Sequence, residues 1–134
     1  MGRTRARATP TGITLDAGAL IALERGNLRM LALLRQALAQ GSALHVPSGV
    51  VGQVWRNGRL QATLARFLRS REVEVVSVDD DLARSCGELC GITNTSDVID
   101  ASVVIVARGR GDIIVTSDPD DLTRLDPAAH IVAV

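Results

Sequence analysis

Three short segments of this chain each place an aspartate next to an apolar run. Asp16 follows the run 13–15 directly, and Asp118 follows the run 113–115 after two polar residues. Asp97 and Asp100 lie three residues apart where an apolar helical stretch begins, so they share one face of that helix. An acid just beyond the carboxyl end of a parallel strand lies in the crevice where α/β folds bind ligands. We therefore expect these carboxylates to converge on one small site.

Carboxylates gathered in this way favour a divalent cation. Two full charges ~5 Å apart repel each other by about 3 kcal/mol at an effective dielectric constant of roughly 20. The cluster becomes tolerable if its members take up protons or surround a cation. Because all the candidate ligands are oxygens, Mg²⁺ or Mn²⁺ fits best.

Each of these acids also has a simpler interpretation as a capping or turn residue. Asp16 could cap the helix after it, Asp97 could cap the helix that carries Asp100, and Asp118 could belong to a turn before a proline. The run 79–81, together with Asp120 and Asp121, fits capping better than metal binding, because acids at a helix start favour the macrodipole.

The composition restricts the class of protein. The chain has 134 residues, 46% of them hydrophobic, and a formal net charge of zero, so no global basic field points to nucleic acid. All 15 cations are arginine, which excludes a mechanism that needs a catalytic lysine. Cys86 and Cys90 are expected to be buried reduced thiols. Since neither a secretory signal nor a membrane span is predicted, we expect a cytoplasmic protein with no membrane partner.

The predicted elements alternate between strand and helix. Strands are expected at residues 13–15, 43–46, 73–78, 112–116 and 131–134. The helices between them are predicted to include one at 59–71 with Leu60 facing inward and one that ends at Gly91. This pattern predicts a single α/β domain over residues 13–134, with a central parallel sheet of four to five strands flanked by helices. Residues 1–12, with Arg3, Arg5 and Arg7, are predicted to be a disordered basic arm.

Four segments together resemble the motifs of a known family. They are LDAGALIAL at 15–23, VPSGVVGQVWR at 46–56, DASVVIVA at 100–107 and VTSDPDDL at 115–122. Each motif alone is weak, but in this order, at these points of an α/β pattern, they resemble PIN-domain ribonucleases. The size and single-domain build are similar to those of VapC-type toxins of bacterial toxin–antitoxin systems.

The resemblance implies an activity and partners. It implies a Mg²⁺- or Mn²⁺-dependent endoribonuclease that cleaves structured RNA such as tRNA or rRNA. It further implies a homodimer that a cognate VapB-like antitoxin neutralises. By motif position, Asp16, Asp100 and Asp118 match the catalytic, metal-binding acids of the family, and Asp97 is a candidate fourth metal ligand beside them.

One residue departs from the family pattern. Gln53 stands where the second motif of the family usually has glutamate. A glutamine oxygen can ligate a cation or orient a water, but it contributes no charge. The alternative function is therefore a catalytically impaired PIN-like module that binds RNA or protein.

Two further sets of residues are candidates for contacts with partners. An apolar groove for an antitoxin segment could be lined by Leu20, Leu23, Leu31, Leu34 and Val54, unless these side chains pack within the monomer. Three arginines near the motifs could hold the RNA backbone, or could be ordinary solvated charges: Arg25, Arg56 and Arg108.

Overall fold

Strands and helices alternate along the whole described chain. The structure is a computed structural model and describes residues 12–134. The elements are β1 Gly12–Leu15, α1 Ala17–Glu24, α2 Leu28–Ala39, β2 Ala43–Pro47, α3 Ser48–Val54, α4 Ala62–Arg69, β3 Val73–Val76, α5 Asp80–Thr93, α6 Val98–Arg110, β4 Ile113–Thr116, α7 Pro119–Leu125 and β5 Ile131–Ala133. The predicted basic arm lies outside the described residues, apart from Gly12, which is the first residue of β1 rather than part of an arm.

The five strands form one parallel sheet in the order β3-β2-β1-β4-β5. β1 is the central strand and pairs with β2 on one side and with β4 on the other, with Leu15 opposite Val115. The strand order reverses between β1 and β4, and such a switch point opens a ligand crevice at the carboxyl ends of the two strands. The predicted α/β class and parallel sheet are confirmed.

The strands have few polar side chains because helices cover both faces of the sheet. Leu15, Val46 and Val115 are fully buried, and α6 adds Val103 and Val104 to the same core. The carboxyl ends of the strands are therefore held by apolar packing, which fixes the positions from which the acidic residues project.

Helix α4 is shorter than the sequence predicts. It begins at Ala62 rather than at residue 59, and Leu60 is 83% exposed, so its predicted inward position is wrong. The cause is the amide of Gln61, whose oxygen accepts hydrogen bonds from the backbone N–H groups of Arg56 (2.8 Å) and Asn57 (2.9 Å). These bonds fold residues 56–61 into a turn in place of the first helical residues.

Helix α5 is longer than predicted, because Gly91 does not end it. The helix continues to Thr93 and ends at Asn94, which adopts the left-handed conformation with φ 56°. The Asn94 N–H bonds the carbonyl of Cys90. Asparagine tolerates this conformation better than most residues, so it replaces glycine as the stop.

The groove predicted for a partner segment is closed in this structure. Leu20, Leu23, Leu34 and Val54 are buried in the core, and only Leu31 is partly exposed, so these residues pack within the monomer. The prediction of an open groove along these five residues is wrong because α1 packs directly against α2 and α3.

Both cysteines are free and buried, as expected. Burial raises the pKa of the Cys86 thiol, and the neighbouring Cys90 adds to this effect. Within residues 12–134 no single helix is long and apolar enough to cross a membrane. Only α5 and α6 taken together, bent by 107° at their junction, meet that requirement.

A buried carboxylate joins three strands at the amino edge of the sheet. The side chain of Asp112, just before β4, is 1% exposed. Its Oδ2 accepts hydrogen bonds from Thr14 Oγ1 at 2.7 Å and from His45 Nδ1 at 2.6 Å. Its other oxygen lies so close to Gly12 that any side chain there would clash with it. Asp112 therefore satisfies polar groups on β1 and β2 that would otherwise be buried without a partner.

Removal of this carboxylate should destabilise the fold. We expect Asp112→Ala to lower the free energy of unfolding by about 2–4 kcal/mol, because Thr14 and His45 lose their buried partner. Asp112→Asn keeps an acceptor and should lower it less. Urea unfolding monitored by circular dichroism measures both changes. The control is Asp80→Ala, which removes an exposed ion pair with Arg84. A loss for Asp112→Ala no larger than the loss for this control would contradict the interpretation.

Candidate active site

Asp16 is the most firmly held acid of the candidate site. It directly follows β1, caps helix α1 and is 7% exposed. Its Oδ1 accepts a hydrogen bond from the backbone N–H of Ala19 at 2.9 Å, and its Oδ2 accepts one from the hydroxyl of Thr116. The capping role and a role in the site are therefore compatible, because both depend on the same fixed carboxylate.

Thr116, the last residue of β4, links Asp16 to Asp118. Its hydroxyl donates to Asp16 and accepts a hydrogen bond from the backbone N–H of Asp118 at 2.9 Å. Sequence reasoning did not select Thr116. The pattern that could have identified it is a hydroxyl at the last position of an otherwise apolar buried strand.

The first turn of α1 packs closely against the turn after β4. A Cβ at Gly18 would collide with the side chain of Ser117. Glycine at this position therefore allows the start of α1 and the end of β4 to approach each other. Asp118 follows Ser117 with an exposed side chain that makes no capping bond, so its carboxylate faces solvent at the tip of this turn.

Asp97 and Asp100 belong to the start of α6. Asp97 is the N-cap, and its Oδ1 accepts hydrogen bonds at 3.0 Å from the N–H groups of Ile99 and Asp100. Asp100 is half-buried in the first turn. Both acids thus lie on the turn that begins α6, at the same edge of the sheet as Asp16.

The electrostatics show that these carboxylates are close enough to affect one another. Burial raises the pKa of Asp100 to about 7, and like charges add to the increase, in falling order Asp97, Asp16 and Asp121. Burial also raises the pKa of Asp16, against its own hydrogen bonds, and the charge of Asp118 contributes. Asp16 therefore lies close enough to Asp100 and to Asp118, and Asp97 close enough to Asp100, for the members of each pair to interact.

The fifth acid, Asp121, was assigned to capping by sequence reasoning. It does lie in the first turn of α7, but its charge also raises the pKa of Asp100. A cleft of about 330 Å³ is lined by the loop 94–97, by Asp100 and by Asp121 and Arg124 of α7, whereas Asp16 and Asp118 are not among its lining residues. Asp121 is three residues after Asp118, and this helical spacing is the pattern that could have identified it.

The donor atoms suit a hard divalent cation, since all are carboxylate oxygens and binding would relieve the repulsion that, together with burial, raises the pKa values of Asp16 and Asp100. Their spacing is looser than a finished coordination sphere. Among residues 12–134 no three Asp, Glu, His or Cys side chains are grouped tightly enough to hold a metal ion as they stand. Asp16 is fixed by hydrogen bonds, whereas Asp118 is exposed, so rotation of the Asp118 side chain would be one way to close the site.

Helix α3 carries the departure from the family pattern. The N-terminus of α3 lies against that of α6, since a Cβ at Gly49 would contact Ile99 at 3.4 Å. Gln53 is exposed one turn further along α3. It thus belongs to a helix that borders the site, but it is not among the residues lining the cleft.

The three arginines proposed for RNA contacts differ in their surroundings. Arg108 pairs with Asp126 at 3.2 Å, and Arg56, just after α3, donates to the carbonyls of Gly52 and Trp55 at the end of that helix. Arg25 is exposed at the end of α1. Arg25 is thus the one of the three without such a contact among the described residues.

Comparison with known proteins assigns the family. The family model described as "PIN domain" matches residues 13–127. The chain belongs to the PIN-domain family. The match contains every acid of the site and all elements from β1 to α7 of this PIN domain. No curated protein matches the chain by sequence.

Solved structures share the fold of this PIN domain. VapC20 of Mycobacterium tuberculosis, a sarcin-ricin loop cleaving toxin, is 22% identical with a TM-score of 0.67, covering 92% of this chain and 98% of VapC20. VapBC2 from Rickettsia felis, bound to a promoter DNA fragment, is 16% identical with a TM-score of 0.67 and coverages of 91% and 98%. FitAcB from Neisseria gonorrhoeae is 14% identical with a TM-score of 0.64 and coverages of 89% and 95%.

The raised pKa of Asp100 should make stability depend on pH. Between the ordinary value near 3.8 and about 7, the folded protein binds more protons than the unfolded chain. We therefore expect the free energy of unfolding in EDTA to fall as pH rises through this range and then to level off. In the Asp100→Asn variant, the free energy of unfolding should depend less on pH in this range.

Urea unfolding at several pH values in EDTA measures the effect. The matched control is Asp80→Asn, which removes an exposed acid of α5 and should keep the wild-type slope. Equal slopes for wild type and Asp100→Asn would show that the Asp100 carboxyl does not carry the shift.

Proposed function

We propose that this PIN domain is a metal-dependent endoribonuclease of the VapC toxin type, which hydrolyses phosphodiester bonds in structured RNA such as tRNA or rRNA. The observation that supports this most is the set of acids at the carboxyl ends of β1 and β4 and at the start of α6, in which burial and neighbouring like charges raise the pKa values of Asp16 and Asp100. A carboxyl group whose pKa is perturbed by burial together with a charged neighbour is typical of a functional site.

The four acids would have different roles in metal binding because their environments differ. Asp16, held by Ala19 and Thr116, supplies a fixed carboxylate, and Asp100 supplies a second once it loses its proton. Asp118 and Asp97, both exposed, would complete the ligand set. A bound Mg²⁺ or Mn²⁺ would activate the attacking water and offset the negative charge that develops on the phosphoryl oxygens.

The same proposal includes partners. Toxin–antitoxin complexes are among the proteins of similar fold, including one from Klebsiella pneumoniae. We propose that a VapB-like antitoxin encoded with this protein neutralises it in the cytoplasm and that the protein forms a homodimer. The antitoxin would have to use a surface other than the closed groove of Leu20, Leu23, Leu34 and Val54.

Gln53 supports the second candidate function, a PIN-like module that binds RNA or protein without cleaving it. The side chain contributes no charge, so the remaining carboxylates alone must retain the cation. Retained metal-dependent cleavage by the unaltered protein would exclude this candidate.

Cleavage of RNA is the direct test of the nuclease proposal. We expect purified protein to cut unfractionated tRNA or rRNA with Mg²⁺ or Mn²⁺ but not with EDTA, and Asp16→Asn and Asp118→Asn to abolish cutting because each removes a metal ligand. Gel electrophoresis of the RNA measures the products. Asp120→Asn, an exposed acid on the same turn of α7, is the control and should cut normally. If the wild-type protein is folded but cuts no RNA in the presence of either metal, the result would favour the binding module.

The role of Gln53 can be measured separately. A full charge ~5 Å from a divalent ion contributes about 1.7 kcal/mol even at the dielectric constant of water, so Gln53→Glu should bind Mn²⁺ about tenfold more tightly. Titration calorimetry measures the affinity, and the RNA assay measures the rate, which should also rise. The control Gln36→Glu adds the same charge on α2 and should change neither. If Gln53→Glu behaves like this control, Gln53 is not part of the site.

A further inference from the structure

The charges of this chain are separated along the sequence, although they sum to zero. Residues 25–71 contain eight arginines and no acidic residue. Residues 72–134 contain four arginines and 13 acidic residues. The candidate active site lies mostly in the acidic half, and the basic half comprises α2, β2, α3 and α4.

The arginines of the two halves differ in their surroundings. In the acidic half, Arg84, Arg108 and Arg110 each pair with a carboxylate. In the basic half, no carboxylate of residues 12–134 lies within ion-pair distance of any arginine. The positive charge of the basic half is therefore not neutralised locally.

Part of this charge borders a groove on α4. The groove is lined by Gly58, Ala62 and Ala65, with Arg66 and Arg69 beside them and Ser70 at the end. Arg66 and Arg69 are exposed, three residues apart in the last turn of α4. The spacing directs both guanidinium groups to the same side of the helix.

The loop before α4 adds a third arginine on an ordered backbone. The N–H of Arg59 donates to Asn57 Oδ1 at 3.0 Å, and the Gln61 side chain bonds Val54 O at 2.8 Å and reaches Glu24 on α1 at 3.3 Å. This turn is the one that shortens α4. Arg59 is exposed in this turn, three residues before α4 begins at Ala62.

We propose that Arg59, Arg66 and Arg69 form a basic surface that binds the phosphate backbone of RNA, a role that deepens the proposed ribonuclease function and rests on it. The acidic cleft by itself repels a polyanion, so attraction for RNA must come from elsewhere on the molecule. Guanidinium groups suit phosphate oxygens in charge and bidentate geometry. Small residues on the floor of the groove leave room for a backbone to approach.

Helix α1 connects the part of the chain that carries the basic surface with the part that carries the acids. α4 packs against α1, and α1 begins at Asp16. The last residue of α1, Glu24, reaches Gln61 just before α4, and the eight residues of α1 span about 12 Å at 1.5 Å per residue, so an RNA must extend further than this to contact both regions.

RNA binding can be measured without cleavage. The Asp16→Asn protein in EDTA, with unfractionated tRNA as the probe, separates binding from hydrolysis, and filter binding at about 50 to 200 mM salt gives the slope of log K against log salt. On this background, Arg66→Gln and Arg69→Gln should each weaken binding and reduce the slope by about 0.7–0.9, the value for one phosphate contact. In the double variant, the slope should fall by about twice the reduction seen in each single variant.

The matched control is Arg84→Gln, which removes the same charge from the acidic half and should leave the slope unchanged. Circular dichroism checks that each variant is folded. Slopes for Arg66→Gln and Arg69→Gln equal to that of Arg84→Gln would overturn the proposal, as would an absence of tRNA binding.

The other partner of opposite charge is a protein surface, such as the acidic half of a second copy. Analytical ultracentrifugation of the same variants tests this. A change in oligomeric mass with no change in the RNA slope would overturn the RNA proposal in favour of this contact. If RNA binding follows the predicted slopes but the wild-type protein cuts no RNA, the proposal of the basic surface stands and the nuclease proposal fails.

Discussion

The pairing of β1 with β4 is the constraint on which the rest of the site depends. Leu15 lies opposite Val115, so the residues after the two strands emerge side by side. Asp16 and Asp118 repel each other, yet their backbones stay close, because β1 and β4 are buried and the Thr116 hydroxyl bonds both the Asp16 carboxylate and the Asp118 N–H. The energy that holds the charges together therefore comes from apolar burial and strand pairing rather than from contacts within the site.

Two buried carboxylates at opposite edges of the same sheet show how such groups can differ. Asp112 accepts hydrogen bonds from Thr14 and His45, so its burial satisfies neighbours on two strands. Asp16 also accepts two hydrogen bonds, but it lies among like charges, and its pKa is raised rather than lowered. The first arrangement supports the fold through two buried hydrogen bonds to Oδ2, although Asp112 Oδ1 has no hydrogen-bond partner among the described residues, whereas the second persists against electrostatic repulsion and is better explained by function.

Much of this architecture was predictable because it depends on local patterns. Buried strands appear as short apolar runs, and the acids that follow them are visible in the chain. What escaped prediction depends on contacts that are distant or specific. The turn before α4 is set by the Gln61 amide, and the extension of α5 beyond Gly91 depends on the left-handed conformation of Asn94. The part played by Thr116 follows from a residue one hundred positions away.

The separation of charge was also visible in the sequence, but a net charge of zero concealed it. A sum over the whole chain measures the field far from the molecule, whereas a bound polyanion responds to charges within about a Debye length, ~8–10 Å at physiological salt. At that range an RNA strand near α4 meets arginines without carboxylate partners, and near α6 it meets carboxylates. The raised pKa of Asp100 reduces the second effect, because near neutral pH part of the population is protonated there until a cation replaces the proton. Repulsion at the cleft and attraction at the basic surface thus act on different parts of one strand, so the protein can attract a polyanion as a whole and still concentrate negative charge where it would bind a metal ion.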